Sequence, residues 1–140
     1  MPSITLKDLK TIDLQDGKLQ HIIKKSDDTF SGFGEAYFSW IMPNKTKGWK
    51  LHKKMTMNIV VPVGQVLFQF KNDSDLINFS VEIGEENYQL LTVPPLNWFC
   101  FTGVSKYPSL VLNVANIEHD PGESIQRKIN SGKYNTNDKI

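Results

Sequence analysis

The sequence predicts an all-β protein, a sandwich or barrel of short strands. Its apolar segments are short and separated by turn residues, which favours strands over helices. These segments recur at near-regular spacing along most of the chain, the pattern of a β-sandwich or barrel. The length of 140 residues is that of one ordinary domain. Such a chain buries roughly two-thirds of the surface it exposes when unfolded.

The elements follow in order. Ile4-Thr5-Leu6 and Thr11-Ile12-Asp13-Leu14 read as short strands or edges. Asp16-Gly17 is a turn, after which a strand resumes over 19–23. Residues 31–34 make a glycine-bearing bend, 36–42 an aromatic strand and 43–48 a loop. The centre is the clearest region: a strand over 55–61, a turn at Pro62-Val63-Gly64, and a strand over 65–70. Residues 71–74 are polar, as a hairpin loop is, and strands over 78–83 and 88–93 flank Gly84-Glu85-Glu86-Asn87. Pro94-Pro95 breaks the ladder, since proline has no N–H to give it. Strands over 98–101 and 110–117 complete the set. Asp120 as N-cap and Pro121 in the first turn predict a short C-terminal helix over 121–130. The polar stretch 131–140 reads as a frayed tail outside a domain of residues 1–130.

Composition narrows the function classes. The chain is 39% hydrophobic, 22% charged and 11% aromatic, a globular balance. A net charge of +1 points to neither nucleic-acid binding nor a membrane-surface role. No apolar run approaches the roughly 20 residues of a membrane span. Residues 1–10 lack a basic stretch followed by an apolar run, so no signal peptide is expected. The single Cys100 excludes an intramolecular disulfide and a multi-cysteine metal site. A cytoplasmic protein is the expectation.

Three polar patterns stand out. Lys47-Gly48-Trp49-Lys50-Leu51-His52-Lys53-Lys54 precedes the strongest strand. On a regular strand Lys50, His52, Thr56 and Asn58 share one face, and Met55, Met57, Ile59 and Val61 the other. A polar face turned into a barrel interior binds small ligands; a solvated strand entrance is the other reading. Pro94-Pro95-Leu96-Asn97-Trp98-Phe99 either builds a stacking wall for a base or sugar ring, or is a rigid turn beside a core tryptophan. Asn113 and Asn116 lie in an apolar strand, where a buried amide needs a partner from the backbone or from a ligand.

Metal chemistry is not expected. In the H-x-H, Glu, Gly pattern of metal-binding cupins, His52 stands twelve residues before Gly64, as the second histidine does. Lys50 takes the first histidine position, Thr56 and Met57 fall where the Glu belongs, and Phe99 takes the place of the later histidine. A protonated lysine has no lone pair for a metal. There is no phosphate-loop glycine motif and no G-x-S-x-G.

From about Asp16 to Asn130 the chain resembles the sugar-nucleotide cupins, the dTDP-4-dehydrorhamnose 3,5-epimerases and dTDP-4-keto-6-deoxyhexose 3,4-ketoisomerases. The ketoisomerases carry a glycine, an aromatic residue and H-A-H-K before a strand that ends in glycine. Here Gly48-Trp49-Lys50-Leu51-His52-Lys53 runs to Gly64 at the same spacing. Pro94-Pro95-Leu96-Asn97-Trp98 is similar to their P-P-x-x-W. Lys47-Gly48-Trp49-Lys50 resembles the epimerase R-G-L-H, with lysine replacing both arginine and histidine.

The resemblance implies a single-domain cupin barrel (a jelly roll, or double-stranded β-helix), a homodimer, a nucleotide-sugar substrate and no cofactor. It implies a metal-independent epimerase or isomerase that enolises a nucleotide-linked, dTDP-type, 4-keto-6-deoxy sugar in surface-polysaccharide precursor synthesis. His52 is then the base, because an ordinary histidine pKa suits proton abstraction at neutral pH. Tyr37 is the proton donor, with core packing as its rival reading. Lys47 and Lys50 hold a phosphate or the developing enolate oxygen. Trp49, Asn58, Trp98 and Asn113 are the further substrate contacts. The lysine and phenylalanine in place of family histidines leave a second reading, a cupin that binds nucleotide sugars without turning them over.

Overall fold

The two central strands show how the sequence builds the fold. In Gln65–Lys71 the order Gln, Val, Leu, Phe, Gln, Phe, Lys alternates half-buried and fully buried positions, so one face of a period-two strand is core. Met57–Val63, which precedes it and lies in the other sheet, begins with five buried residues, because it runs between two neighbouring strands in the middle of that sheet. The computed structural model describes residues 3–71 and 75–128.

Twelve strands appear among the described residues. They are β1 (Thr5–Asp8), β2 (Thr11–Leu14), β3 (Gly17–Gln20), β4 (Glu35–Ile41), β5 (Thr46–His52), β6 (Met57–Val63), β7 (Gln65–Lys71), β8 (Ile77–Gly84), β9 (Gln89–Val93), β10 (Trp98–Gly103), β11 (Ser109–Ala115) and β12 (Ser124–Gln126). One five-stranded sheet has the order β1-β9-β6-β11-β4 and the other β12-β5-β10-β7-β8. Every pairing within them is antiparallel. The core lies where their inner faces meet. Ile41, Met57, Ile59 and Val111 come from the first sheet; Val66, Phe68, Phe70, Phe99 and Phe101 come from the second. Each such side chain contributes roughly 1.5–3 kcal/mol by leaving water.

The all-β expectation holds, with four corrections. First, the sheets stay open at β1 and β4 and at β12 and β8, so the described strands do not zip into a closed barrel. Second, the expected helix is a single 3-10 turn, Pro121–Glu123. Asp120 does cap it, accepting from the Gly122 N–H at 3.1 Å, but the chain then turns into β12. There Ser124, Ile125 and Gln126 pair with His52, Leu51 and Lys50. An unpaired β5 edge offers a row of free backbone groups, and filling it outweighs local helix preference. Third, the expected loop over 43–48 is shorter, because β5 already starts at Thr46. Fourth, β5 ends at His52 and bends at Lys53 and Lys54 before β6 begins. Residues 50 to 58 are therefore not one regular strand. Residues 72–74 of the expected loop, 129–130 of the expected helix and the tail 131–140 lie outside the described residues.

Two apolar features face outward. On β4, Phe38 and Trp40 are 64% and 54% exposed, because alternation points them away from the core. The β2–β3 hairpin is exposed and presents Ile12, Leu14 and Leu19.

Candidate active site

A pocket opens between the two sheets and encloses about 390 Å³ of empty space, mouth included. Its polar groups are Tyr37 and Ser39 from β4, Lys50 and His52 from β5, and Asn113 from β11. Its walls are apolar, chiefly Phe68, Phe99 and Phe101. A few polar groups in an apolar pocket fix a ligand's orientation and raise the strength of each electrostatic contact.

A bulge in β5 brings the lysines together. Residues 47 and 50 face opposite sides of a regular strand. Here Lys47 pairs with Phe101, Lys50 with Phe99, and the register shifts between Phe99 and Cys100. The inserted residue returns both lysines to the pocket face. Gly48 makes this possible: its φ is +129°, and a Cβ there would meet Cys100 Cβ at 2.6 Å. Lys47 reaches the pocket rim, donating to Ser39 Oγ at 3.1 Å and to the Trp40 carbonyl at 2.7 Å. The Lys50 ammonium makes no side-chain hydrogen bond or ion pair with the described residues. Burial pulls its ammonium below the usual lysine range, and the charge of Glu123 opposes this only partly.

His52 is 5% exposed and stacks on Phe99 with ring centroids 6.1 Å apart. Its Nδ1 bonds Glu123 Oε1, so with the proton on Nδ1 the other ring nitrogen is a free base. Glu123 Oε2 accepts from the backbone N–H groups of Lys54 at 3.0 Å and Met55 at 3.2 Å. Burial pushes the Glu123 carboxyl up, but its bonds to His52, Lys54 and Met55 together hold it below its ordinary value. Burial lowers the His52 pKa from 6.5, with the Glu123 bond and charge opposing and Lys50 and His119 adding to the decrease. The result is a neutral imidazole near pH 7, anchored by an ionised carboxylate.

Tyr37 faces the pocket from β4, opposite Asn113 in the ladder. The Asn113 amide donates to the Tyr37 oxygen at 3.0 Å. Since the phenol accepts there, its own proton is free to point elsewhere. Burial raises the Tyr37 pKa above 10.0, with the Asn113 bond opposing.

The structure thus assembles His52, Tyr37, Lys50 and Asn113 in one pocket, with Lys47 at its rim. It does not bring the other three sequence candidates there. Trp49 and Trp98 lie with Leu51 and Cys100 on the opposite face of the second sheet. Lys71 Nζ stands 4.4 Å from the Trp49 ring and Arg127 lies 4.4 Å from the Trp98 ring. Asn58 points to the other side of β6 from Met57 and Ile59. It donates to the Thr29 carbonyl at 3.2 Å and accepts from Thr92 Oγ1 at 2.6 Å. The bend after His52 explains this: Lys50 and His52 share the pocket with Met57 and Ile59, not with Thr56 and Asn58. Asn116 is structural, accepting from the Thr56 N–H at 2.8 Å.

Sequence reasoning missed Glu123 and Ser39. Glu123 sits three residues after the Asp120 cap, where a capping glutamate is ordinary; only the β12–β5 pairing carries it to His52. Among the described residues no group of three His, Cys, Asp or Glu side chains is placed to hold a metal ion. No described helix is long and apolar enough to cross a membrane.

No protein-family model and no curated protein sequence matches the chain. Solved structures do. A dTDP sugar isomerase from Desulfovibrio desulfuricans G20 is 33% identical with a TM-score of 0.82, over 89% of this chain and 83% of its own. The 3,4-ketoisomerase QdtA from Thermoanaerobacterium thermosaccharolyticum, in complex with TDP, has a TM-score of 0.75 at 22% identity, covering 89% and 88%. A dTDP-4-dehydrorhamnose 3,5-epimerase from Sulfolobus tokodaii has a TM-score of 0.76 at 20% identity, covering 92% and 81%. The last two show a shared fold; the first shows kinship.

Proposed function

Because the chain belongs to the dTDP-sugar isomerase family of sugar-nucleotide cupins, we propose that it epimerises or isomerises a nucleotide-linked 4-keto-6-deoxy sugar by enolisation. The observation that carries this is the neutral His52, anchored on Glu123, in one pocket with Lys50 and Tyr37. The free nitrogen of His52 removes the proton from a carbon beside the C4 carbonyl. The bonding electrons form a C=C bond and place negative charge on the C4 oxygen, which the Lys50 ammonium faces. The Tyr37 hydroxyl then supplies a proton. Return of a proton to the opposite face of the same carbon epimerises it. Return to C4 of an enediol moves the keto group to the neighbouring carbon. Every step is carried by side-chain acids and bases, so the pocket's donors suffice without a metal.

In this reading the sugar ring enters the pocket and the nucleotide stays at the mouth, with Lys47 on the rim as the candidate phosphate contact. The exposed Phe38 and Trp40 on the open β4 edge, with the apolar hairpin, support a homodimer. Light scattering checks this, and a monomer at working concentration counts against it. The reading places the protein in the cytoplasm, in polysaccharide precursor synthesis.

Incubation with dTDP-4-keto-6-deoxyglucose in deuterated water, followed by NMR, tests the chemistry. His52-dependent loss of the C3 or C5 proton signal is expected, and the product's configuration separates epimerase from ketoisomerase. Lys50 and Phe99 in place of family histidines favour one rival, a binder without turnover. Binding with no exchange would establish that rival.

A further inference from the structure

Asn113 is used at one end only. It lies on β11 between β4 and β6, 3% exposed, with its backbone committed to both ladders. Its amide nitrogen donates to the Tyr37 oxygen at 3.0 Å and lies 3.9 Å from Met55 Sδ. Its side-chain carbonyl oxygen is buried and has no hydrogen-bond partner among the described residues, while the residue lines the pocket. Buried side-chain acceptors are seldom left unsatisfied, and in a pocket a bound ligand can supply the partner.

The missing partner must carry a proton. A keto oxygen and phosphate oxygens are acceptors only, so they cannot pair with a carbonyl. A sugar hydroxyl can. The two ends of one amide lie side by side, as do the oxygens on adjacent ring carbons. With Tyr37 held at the nitrogen end, beside the reacting carbonyl, the oxygen end falls to the neighbouring carbon's hydroxyl.

We infer that Asn113 sets substrate specificity: its N–H aims the Tyr37 hydroxyl, and its carbonyl oxygen accepts a hydroxyl on the carbon next to the reacting ketone. The substrate class is an α-hydroxy ketone rather than an α-deoxy ketone. This rests on the enolisation reading and adds the group that the site selects.

The test compares dTDP-4-keto-6-deoxyglucose with dTDP-4-keto-3,6-dideoxyglucose, reading deuterium exchange beside the carbonyl and, on the same samples, affinity by calorimetry. The wild-type protein should exchange the deoxy compound roughly tenfold to hundredfold more slowly, because it leaves the Asn113 acceptor buried and unpaired. Asn113→Leu should bring the two rates close together. Asn113→Asp, near in shape, keeps an acceptor and should keep the preference. It removes the donor to Tyr37, so its alkaline rate limit should shift. Equal wild-type rates on both compounds would overturn the inference and leave enolisation standing, as would a preference that survives in Asn113→Leu. No exchange on either compound would defeat the enolisation reading instead. Calorimetry then decides the inference alone: an affinity preference lost in Asn113→Leu supports it, and equal affinities overturn it.

Discussion

His52 and Glu123 are 71 residues apart in sequence and joined through Nδ1 and Oε1, with His52 lining the pocket. The bond has two structural causes. β12 pairs with the edge of β5 at His52 itself. The second carboxylate oxygen is fixed by two backbone N–H groups just past that strand. The carboxylate therefore orients the ring and is itself immobilised by the bend that ends β5.

Replacing Glu123 with Gln should separate anchoring from basicity. The amide keeps shape but loses the charge that raises the His52 pKa. The ring then titrates at lower pH, so the acid limb of kcat/KM should move downward. The plateau should fall roughly 10- to 100-fold, the scale seen when the partner that orients a functional histidine is removed. A pH–rate profile of the variant checks both. An acid limb that stays in place or moves up would count against this pair.

Thermal stability should fall as the medium is acidified through pH 6.5. Unfolded His52 takes up a proton near 6.5, whereas the folded ring does so only at lower pH. Between those values the unfolded chain holds more protons, so unfolding is favoured as pH drops. Glu123, held below its ordinary 4.5 when folded, adds a loss of the same sign as pH falls below that value. Melting curves between pH 8 and 5 should show the first decline, and His52→Gln should flatten it.

Lys50→Met should trade activity for stability. The pocket holds this ammonium partly desolvated, and its pKa lies below 10.5 for that reason. The folded lysine releases its proton before the unfolded one does, so stability rises with pH through that interval and the charged form is a standing cost below it. Methionine removes the cost and fills the space, so Tm should increase. Turnover should fall by about 10²–10³, the scale for losing one oxyanion donor. Unchanged turnover would remove Lys50 from the reaction.

How much of this was legible in the sequence depends on the range of the interactions. Strands such as β7 and β11 were legible because period-two alternation is local. So was the meeting of His52, Lys50, Tyr37 and Asn113, through the resemblance and through residue type. The face of Asn58 was not, because the bend after His52 resets strand parity and a parity argument assumes that no such reset occurs. The resemblance assigns Trp49 and Trp98 to the substrate, whereas alternation beside Lys50 and Phe99 turns both away from the pocket. The C-terminal helix failed for a related reason. Its cap signals were correct and did form a turn, but the open edge of β5 captured the next three residues.

The bulge itself gives the last prediction. At Gly48 an added methyl would sit 2.6 Å from Cys100 Cβ, 2.7 Å from its Cα and 2.8 Å from the Phe99 carbonyl oxygen, at a φ of +129°. Backbone atoms cannot yield as a flexible side-chain tip does, and L-residues rarely adopt that φ. Gly48→Ala should cost about 1–3 kcal/mol of stability. The displaced β5 would carry Lys50 out of line with Phe99, so turnover should fall even where the protein remains folded. Gly122→Ala is the control. Its added methyl meets only Asp120 Oδ1, at 3.6 Å, and should change stability by no more than about 0.5 kcal/mol. Equal losses in the two variants would mean that the approach of β5 to β10 is not what positions the lysine.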